Sequence, residues 1–408
     1  MKFAERTTRV EVSPTMQVAF EVARLKRQGV DVADLGAGEP DFLTPPHVKA
    51  AGIDAIRQNF TKYTVNAGIP ELREAICARY AIDYGVHFDP SAVIVTAGGK
   101  QALFNIAFAL FGTGDEVITH SPGWPTIVEQ IKLTGAEPVI VRTQSEDGFT
   151  VRAEPILDAL TPRTRAIIIN SPGNPTGALV TEEDLATIAK AAATRGLWVI
   201  LDLCYEHLIY DEIAHNLPHV LQDELGDQAV LVGTLSKSYA MTGWRCGWAI
   251  GTGELISACN TVQSHMTSNV SSVTQRAAVA ALTGSQDCVA EMRREYRVRR
   301  DQLLDWLGSN SRIHCTRPAG AFYLFPDITE LLSPDGLRTS AAFAEALLSH
   351  AHVALTAGEV FDAPGFLRVS YATSLERLQE GVKRLGEFIR AVDAGEIATA
   401  QDPSQTGY

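Results

Sequence analysis

Three things are scarce in this 408-residue chain, and each scarcity removes a class of function. Cysteine is sparse: the six residues Cys77, Cys204, Cys246, Cys259, Cys288 and Cys315 form no CxxC pair and no Cys/His cluster. That argues against a disulfide framework or a zinc module, and it fits reduced thiols in a cytoplasmic protein with no metal site. Long apolar runs are missing too, since none approaches the ~18 residues that a membrane-spanning helix needs. The first residues, MKFAERTTRVEVS, lack the apolar segment of a secretory leader, so none is expected. Basic charge is short as well: Lys+Arg is 35 against 48 Asp+Glu, a net charge of −13. An acidic chain lacks the basic footprint of a nucleic-acid binder and is repelled by anionic lipid. An anionic substrate would have to be held by a few placed cations working against the overall field.

What remains is an ordinary globular balance, 46% hydrophobic and 20% charged, in a chain long enough for two or three domains. Short apolar runs alternate with helical patterns: 92–96 (AVIVT), 116–119 (EVIT), 137–141 (EPVIV), 166–170 (AIIIN), 198–202 (WVILD), 230–234 (VLVGT) and 247–250 (GWAI). Helices are expected near 101–111 and 182–194. Near-continuous apolar strands between helices predict an α/β fold with a mostly parallel sheet covered on both faces. After Leu255 the pattern turns helical, and 291–300 (EMRREYRVRR) reads as a long solvated helix. A smaller α+β region is expected from 321–325, a helix near 341–349, and 366–371. Leu375, Leu378, Val382, Leu385, Phe388 and Ile389 recur at helical spacing and predict a closing helix. The expected division is a large domain over 46–294, a small domain from 1–45 with 295–395, and a disordered polar tail over 396–408.

In open α/β sheets ligands bind beyond the carboxyl ends of the strands, so the polar residues there are the first candidates. Thr234, Ser236 and Lys237 follow the run 230–234, with Arg245 soon after. A lysine in an apolar pocket near another cation loses proton affinity and can form a Schiff base with an aldehyde. The hydroxyls and the guanidinium suit a phosphate. By itself the segment fits a surface loop equally well. Asp202 ends WVILD, where a carboxylate can hold a protonated ring nitrogen, although such a residue is more often a cap. Tyr205 is either a phenol at the same strand end or a packed aromatic. Gly99 and Lys100 open a helix whose N–H groups can approach a phosphate, but neither GGKQ nor GAGE (36–39) matches a nucleotide fingerprint. The proline- and glycine-rich turn NSPGNPTG (170–177) either aims Asn174 into the cleft or is only a turn. Arg368, in the alternating FLRVSYA, suits a carboxylate or is solvated, and Trp124 either stacks on a flat ring or is core.

Taken together and in order, AGEPDF, KYTVNAGIPELREAI, GGKQALFN, NSPGNPTG, DLCYE, TLSKSYAMTGWRCGW and FLRVSYA resemble the class I aminotransferases dependent on pyridoxal phosphate. The bacterial aspartate, or aspartate/prephenate, aminotransferase subgroup is the nearest pattern, and the likeness runs from about Ser13 to Ile389. It implies a fold-type I transferase with pyridoxal 5′-phosphate, working as a cytoplasmic homodimer with shared sites. On the matching positions, Lys237 would form the Schiff base and shuttle the proton. Asp202 would pair with the ring nitrogen, Tyr205 and Asn174 with the ring 3-oxygen, and Trp124 would stack on the ring. Gly99, Lys100, Thr234, Ser236 and Arg245 would surround the phosphate, joined by Tyr63 from the neighbouring subunit. Arg368, with Gly38 and Asn174, would clamp the substrate α-carboxylate, and Lys100, Ser13 and Thr15 would read a distal one.

The implied reaction is ping-pong transamination, with aspartate or glutamate against 2-oxoglutarate or oxaloacetate and prephenate admitted. The alternatives are an aminotransferase for another amino acid, aromatic or alanine-type, or a C–S lyase on the same scaffold. A regulatory fusion is disfavoured, because about a dozen residues before Ser13 are too few for a helix-turn-helix module. Two departures from the family pattern are expected to matter. Leu203 replaces an acid in DLCYE and would alter nearby polarity; Gly123 replaces an aromatic before Trp124 and would widen the pocket.

Overall fold

Strands that are apolar on both faces need cover on both sides, and the middle of the chain supplies it. The structure, a computed structural model, describes residues 3–11, 14–213, 215–334 and 336–397. After a two-residue strand β1 (Ala33–Asp34) come seven strands of one sheet: β2 (Val93–Thr96), β3 (Glu116–Ser121), β4 (Glu137–Arg142), β5 (Thr164–Asn170), β6 (Trp198–Asp202), β7 (Ala229–Thr234) and β8 (Gly247–Ile250). Their order is β2-β8-β7-β6-β5-β3-β4. Strands β3 to β7 pair in parallel, as the apolar runs predict. Strand β8 alone is reversed, antiparallel to both β7 and β2. The links between the parallel strands carry helices, among them Pro125–Thr134, Glu182–Arg195 and Leu217–Leu225. The β7–β8 link holds only the 3-10 turn Thr242–Trp244, with no crossover helix to bring the chain back in parallel.

Alternation along each strand divides the core in two. Ile167, Ile169, Val199, Leu201 and Leu231 join one apolar cluster, and Ile168, Ile200, Val230 and Val232 join the other on the opposite face. The mostly parallel α/β sheet is therefore as expected, with its middle strands wholly buried and β4 as a half-exposed edge.

A second centre draws on both chain ends. Strands β9 (Tyr323–Leu324), β10 (Val353–Ala354), β11 (Thr356–Ala357) and β12 (Leu367–Ser370) follow the helical stretch. Strands β11-β12-β9 form a small antiparallel sheet, while β1 pairs in parallel with β10. Leu35 thereby packs in one cluster with Leu324, Val353, Leu367 and Phe388. The closing helix Leu375–Asp393 buries Leu378, Leu385, Phe388 and Ile389 and half-buries Leu375 and Val382, matching its spacing. Of the tail expectation, 398–408 lie outside the described residues, and Ile397 packs against this second cluster.

The charged run 291–300 needs correction. It lies on the helix Asp287–Leu307, but Met292, Tyr296, Arg299 and Arg300 are buried. Arg300 is fully buried, yet every nitrogen of its guanidinium has a partner. Nη1 and Nη2 donate to the two oxygens of Asp211 (2.8 and 2.9 Å), Nε to Asp301 (2.8 Å) and Nη1 also to the Pro318 carbonyl (2.9 Å). Its plane sits 4.8 Å from the Tyr210 ring centroid. A guanidinium goes under only when its donors are met, and local composition carries no trace of partners 18 and 89 residues away. We expect Arg300→Met to cost about 2–3 kcal/mol in urea unfolding, below the full penalty for breaking a buried pair because Asp211 keeps some solvent. A loss under about 0.5 kcal/mol would show the network to be ornamental.

Candidate active site

The carboxyl ends of β5, β6 and β7 and the start of the helix Gly99–Leu110 open into one cavity of about 550 Å³. Its other walls are the segment Gly36 to Glu39, Tyr323, Arg368, and the face of the helix Pro14–Arg27 that carries Val18, Ala19, Val22, Ala23 and Lys26. Elements distant in sequence meet here because β1 pairs with β10 and so carries residues 36–39 over the large sheet.

Asp202 ends β6, buried at 3% exposure, where its Oδ1 accepts the Cys204 N–H at 3.1 Å. Loss of water pushes its pKa up to about 7, outweighing the Cys204 amide and the Lys237 charge that pull it down. A cationic or N–H-bearing ring in the cavity is the partner that this carboxylate lacks. Tyr205 is buried, its hydroxyl 2.9 Å from that of Tyr323, and burial holds its phenol well above the usual range. It is a neutral hydrogen-bonding group at working pH. Lys237 follows β7; its Nζ donates to the Gly38 carbonyl at 2.5 Å and lies 5.8 Å from the Tyr205 and Phe322 ring centroids.

Beside the lysine is a cradle for an anion. Thr234 Oγ1 donates to the Cys246 carbonyl (2.9 Å), lies 2.9 Å from Ser236 Oγ, and accepts the Ser236 N–H (3.2 Å). Arg245 donates from Nη1 to the Thr242 carbonyl (2.8 Å) and from Nη2 to the Ala97 carbonyl (3.2 Å). Gly98 stands at φ +85°, and a Cβ there would come within 2.8 Å of Arg245 Nη2, so the guanidinium needs a glycine at this turn. The free N–H groups of the twelve-residue helix beginning at Gly99 add a positive helix end. Lys100, at the exposed rim, stands 5.0 Å from the Trp124 ring centroid. Partial burial, then the charges of Arg245 and Lys237, lower its pKa.

Arg368 is buried at 3% exposure on β12. Nη1 donates to Asn174 Oδ1 (3.0 Å) and Nη2 to the Gly36 carbonyl (2.8 Å), with the guanidinium 4.4 Å from the Tyr323 ring centroid. Its Nε has no acceptor among the described residues. A buried cation with one N–H unmet favours an incoming anion. Asn174 is held by its own N–H on Asn170 Oδ1 (3.0 Å), and Asn170 Nδ2 donates to the Asp202 carbonyl (3.1 Å), which ties the NSPGNPTG turn to the end of β6.

The set fits pyridoxal phosphate: an amine for the aldehyde, a buried carboxylate for the ring nitrogen, and a cradle of hydroxyls, guanidinium and helix end for the phosphate. Gly38, Gly99, Lys100, Trp124, Asn174, Asp202 and Tyr205 line the cavity, as do Thr234, Ser236, Lys237, Arg245 and Arg368. Tyr63 does not; it stands 93% exposed. Ser13 and the side chain of Thr15 lie outside the described residues. Both departures from the family pattern read differently in three dimensions. Leu203 is buried in the large-sheet core and does not line the cavity, whereas its neighbour Cys204 does. Gly123 does not line the cavity either; a Cβ there would run into the His120 carbonyl oxygen, so the glycine serves its own turn. Sequence reasoning missed Tyr323, Gly36 and the apolar helix face at Val18 and Val22. Tyr323 has no local signal, while the helix face is legible only as a 3.6-residue apolar stripe.

A family model described as "Aminotransferase class I and II" matches residues 30–385. The chain is 41% identical to an aspartate aminotransferase of Geobacillus stearothermophilus, covering 96% of this chain and 100% of the relative. It is equally identical (41%) to a probable aspartate/prephenate aminotransferase of Aquifex aeolicus, covering 95% and 99%. Among solved structures, the aspartate aminotransferase of Thermus thermophilus with maleate superposes at a TM-score of 0.90 with 39% identity, over 95% of this chain and 100% of that one. The Rhizobium meliloti aspartate aminotransferase gives 0.91 with 38% identity, over 96% and 99%.

Two outcomes follow from this geometry. Gly98→Ala forces Arg245 aside and should weaken cofactor binding by about tenfold or more, read by fluorescence titration of the cofactor-free protein. Asp202 holds its proton more tightly folded than unfolded, so its stabilising effect is complete below about pH 4 and is lost as pH rises towards 7. Between pH 5 and 8, Asp202→Asn should therefore spare the cofactor-free protein about 2–3 kcal/mol of that loss. Glu206, pushed up to about 8 by burial, also feels the Asp202 charge, so the difference between the two proteins reads Asp202 together with its effect on Glu206. Parallel stability curves for the two would refute the assignment.

Proposed function

This chain belongs to the class I and II aminotransferases and is a pyridoxal-phosphate-dependent enzyme of transamination; from that footing we propose that its substrates are dicarboxylic, aspartate or glutamate with 2-oxoglutarate or oxaloacetate, with prephenate accepted. The observation that carries this reading is the placing of two cations on different walls of one cavity: Arg368 beside Tyr323 and Lys100 beside Trp124. A carboxylate on Cα suits the planar, buried guanidinium, and a distal carboxylate suits the ammonium at the rim. The Thermus thermophilus relative was solved with maleate, itself a dicarboxylate. The apolar helix face at Val18 and Val22 supports a bulkier carbon skeleton such as that of prephenate.

When bound, pyridoxal phosphate supplies an aldehyde for the amino group and a conjugated ring that accepts electrons from Cα. The chain's residues do the rest. Asp202 keeps a proton on the ring nitrogen, since a buried carboxylate gains most from a cationic partner. Asn174 and Tyr205 present hydrogen-bonding groups to the ring edge, and Trp124 closes one face. Arg368, fixed by Asn174 and Gly36, orients the substrate so that one bond to Cα stands out of the ring plane. Lys237 Nζ would be the base that takes the proton from the substrate Cα and delivers it to the cofactor's aldehyde carbon, on the other side of the amino nitrogen. Thr234, Ser236, Gly99 and Arg245 would hold the phosphate.

We further propose a cytoplasmic homodimer. Tyr63, Val65 and Leu43 stand exposed at 93%, 57% and 81%, large apolar side chains that a second copy would cover while Tyr63 reaches its neighbour's phosphate. A small domain formed from 1–45 and 295–395 would carry Arg368 toward the large one (46–294) as substrate binds. Lys237→Ala should abolish turnover and the borohydride-trapped adduct at this position. Lys100→Ala should lower kcat/KM for aspartate by about 10–100-fold and leave alanine within about threefold. Equal losses on both amino acids would sink the dicarboxylate reading, and release of pyruvate with ammonia in place of amino-group transfer would favour a lyase.

A further inference from the structure

The segment from Gly36 to Asp41 touches two functional cations and reaches a third through Thr242, yet none of its own residues is a catalytic acid or base. The Gly36 carbonyl accepts from Arg368 Nη2 (2.8 Å), and the Gly38 carbonyl accepts from Lys237 Nζ (2.5 Å). Glu39 Oε2 accepts from Thr242 Oγ1 (2.8 Å), and the Thr242 carbonyl in turn accepts from Arg245 Nη1 (2.8 Å). A segment with two glycines does not keep such a shape unaided. Its far end is clamped. Both oxygens of Asp41 accept from Arg299 Nη1 at 2.9 Å, and Oδ1 also accepts from the Tyr296 hydroxyl at 3.2 Å. Arg299 is 7% exposed and braced by Glu295 (2.9 Å), with its guanidinium 5.3 and 5.4 Å from the Phe42 and Tyr296 ring centroids.

We infer that the Asp41–Arg299–Tyr296 clamp, in which a surface carboxylate is gripped by a buried guanidinium and a buried phenol, is a positioning device for the active site, holding the Gly36–Glu39 carbonyls and side chain where they aim Arg368 at the substrate α-carboxylate and steady Arg245. The inference rests on the reading of Arg368 as the α-carboxylate clamp and is independent of side-chain preference. The long helix Asp287–Leu307 does not line the cavity with Arg299 or Tyr296; it reaches the cavity through the 36–41 segment and through the Tyr296 ring, which packs on Phe322 (5.5 Å between centroids) behind Tyr205 and Tyr323, and Tyr296→Phe and Asp41→Asn both leave that ring packing in place.

The test uses the cofactor-loaded enzyme and Asp41→Asn, which keeps the side chain's size and removes its charge. Three quantities are read: hydrogen exchange of the amides of residues 36–39, 41 and 42, the dissociation constant for maleate, and KM against kcat for glutamate. The clamp predicts exchange at least tenfold faster, maleate binding and KM each weakened about tenfold, and kcat within about threefold. Faster exchange with unchanged maleate affinity and KM overturns it, as does unchanged exchange. Should Asp41→Asn fail to fold, Tyr296→Phe removes one of the three hydrogen bonds to Asp41 and is expected to give about threefold effects on exchange and on KM; no change in either overturns the proposal. If the wild-type enzyme binds no maleate, the dicarboxylate reading has failed, and KM for whichever amino acid is accepted, which shares the α-carboxylate, then decides the clamp.

Discussion

A carboxylate buried at the end of a parallel strand without a full counter-ion sets the terms for the rest of this site. Asp202 has one backbone N–H for company and enough lost hydration to raise its pKa to about 7. Such a group is a cost to the folded protein on its own and a gain once a protonated ring lies against it. The neighbouring features complete the same pattern. Lys237, Arg245 and the N-terminus of the helix at Gly99 are positive groups close to one another, and they relax only when an anion joins them. Arg368 has an unmet N–H under the surface. Ligand binding and local stability are therefore two views of one electrostatic arrangement.

The acidity of the chain makes that arrangement selective. With a net charge of −13, the surface at large repels anions, while the cavity gathers five cations, Lys26, Lys100, Lys237, Arg245 and Arg368, against the three carboxylates Asp34, Glu39 and Asp202. Asp34 is partly spent on Lys26 (3.3 Å), and Glu39 on the Thr242 hydroxyl. What is left over is positive and directional, so anionic groups are favoured only where hydrogen-bond geometry accepts them.

The sheet and the site are supported from opposite directions. Near-continuous apolar runs mark β5, β6 and β7 and place Asn170, Asp202 and Thr234 at their ends. The second wall comes from residues about ninety positions or more away on either side, through the pairing of β1 with β10 and of β12 with β11 and β9. That wall carries Arg368, Gly36 and Tyr323, and the long helix braces it through Arg299. The same helix shows why charge counts mislead: two of its arginines are buried, Arg300 completely, because their partners arrive from distant turns.

Sequence alone determined what depends on short range or on the identity of a reactive group. Seven apolar runs, their polar ends, the lysine after β7, the carboxylate after β6 and the closing amphipathic helix all follow from spacing within a few residues, because side-chain period and strand burial are local properties. The ordered motifs added the cofactor and the reaction class. Only the tertiary structure decided the reversal of β8, the burial of Arg299 and Arg300, the Tyr205–Tyr323 contact, and the removal of Leu203 and Gly123 from the cavity wall. Each of these is settled by which distant partner fills a hydrogen bond or a volume, and no window of sequence contains both members of such a pair.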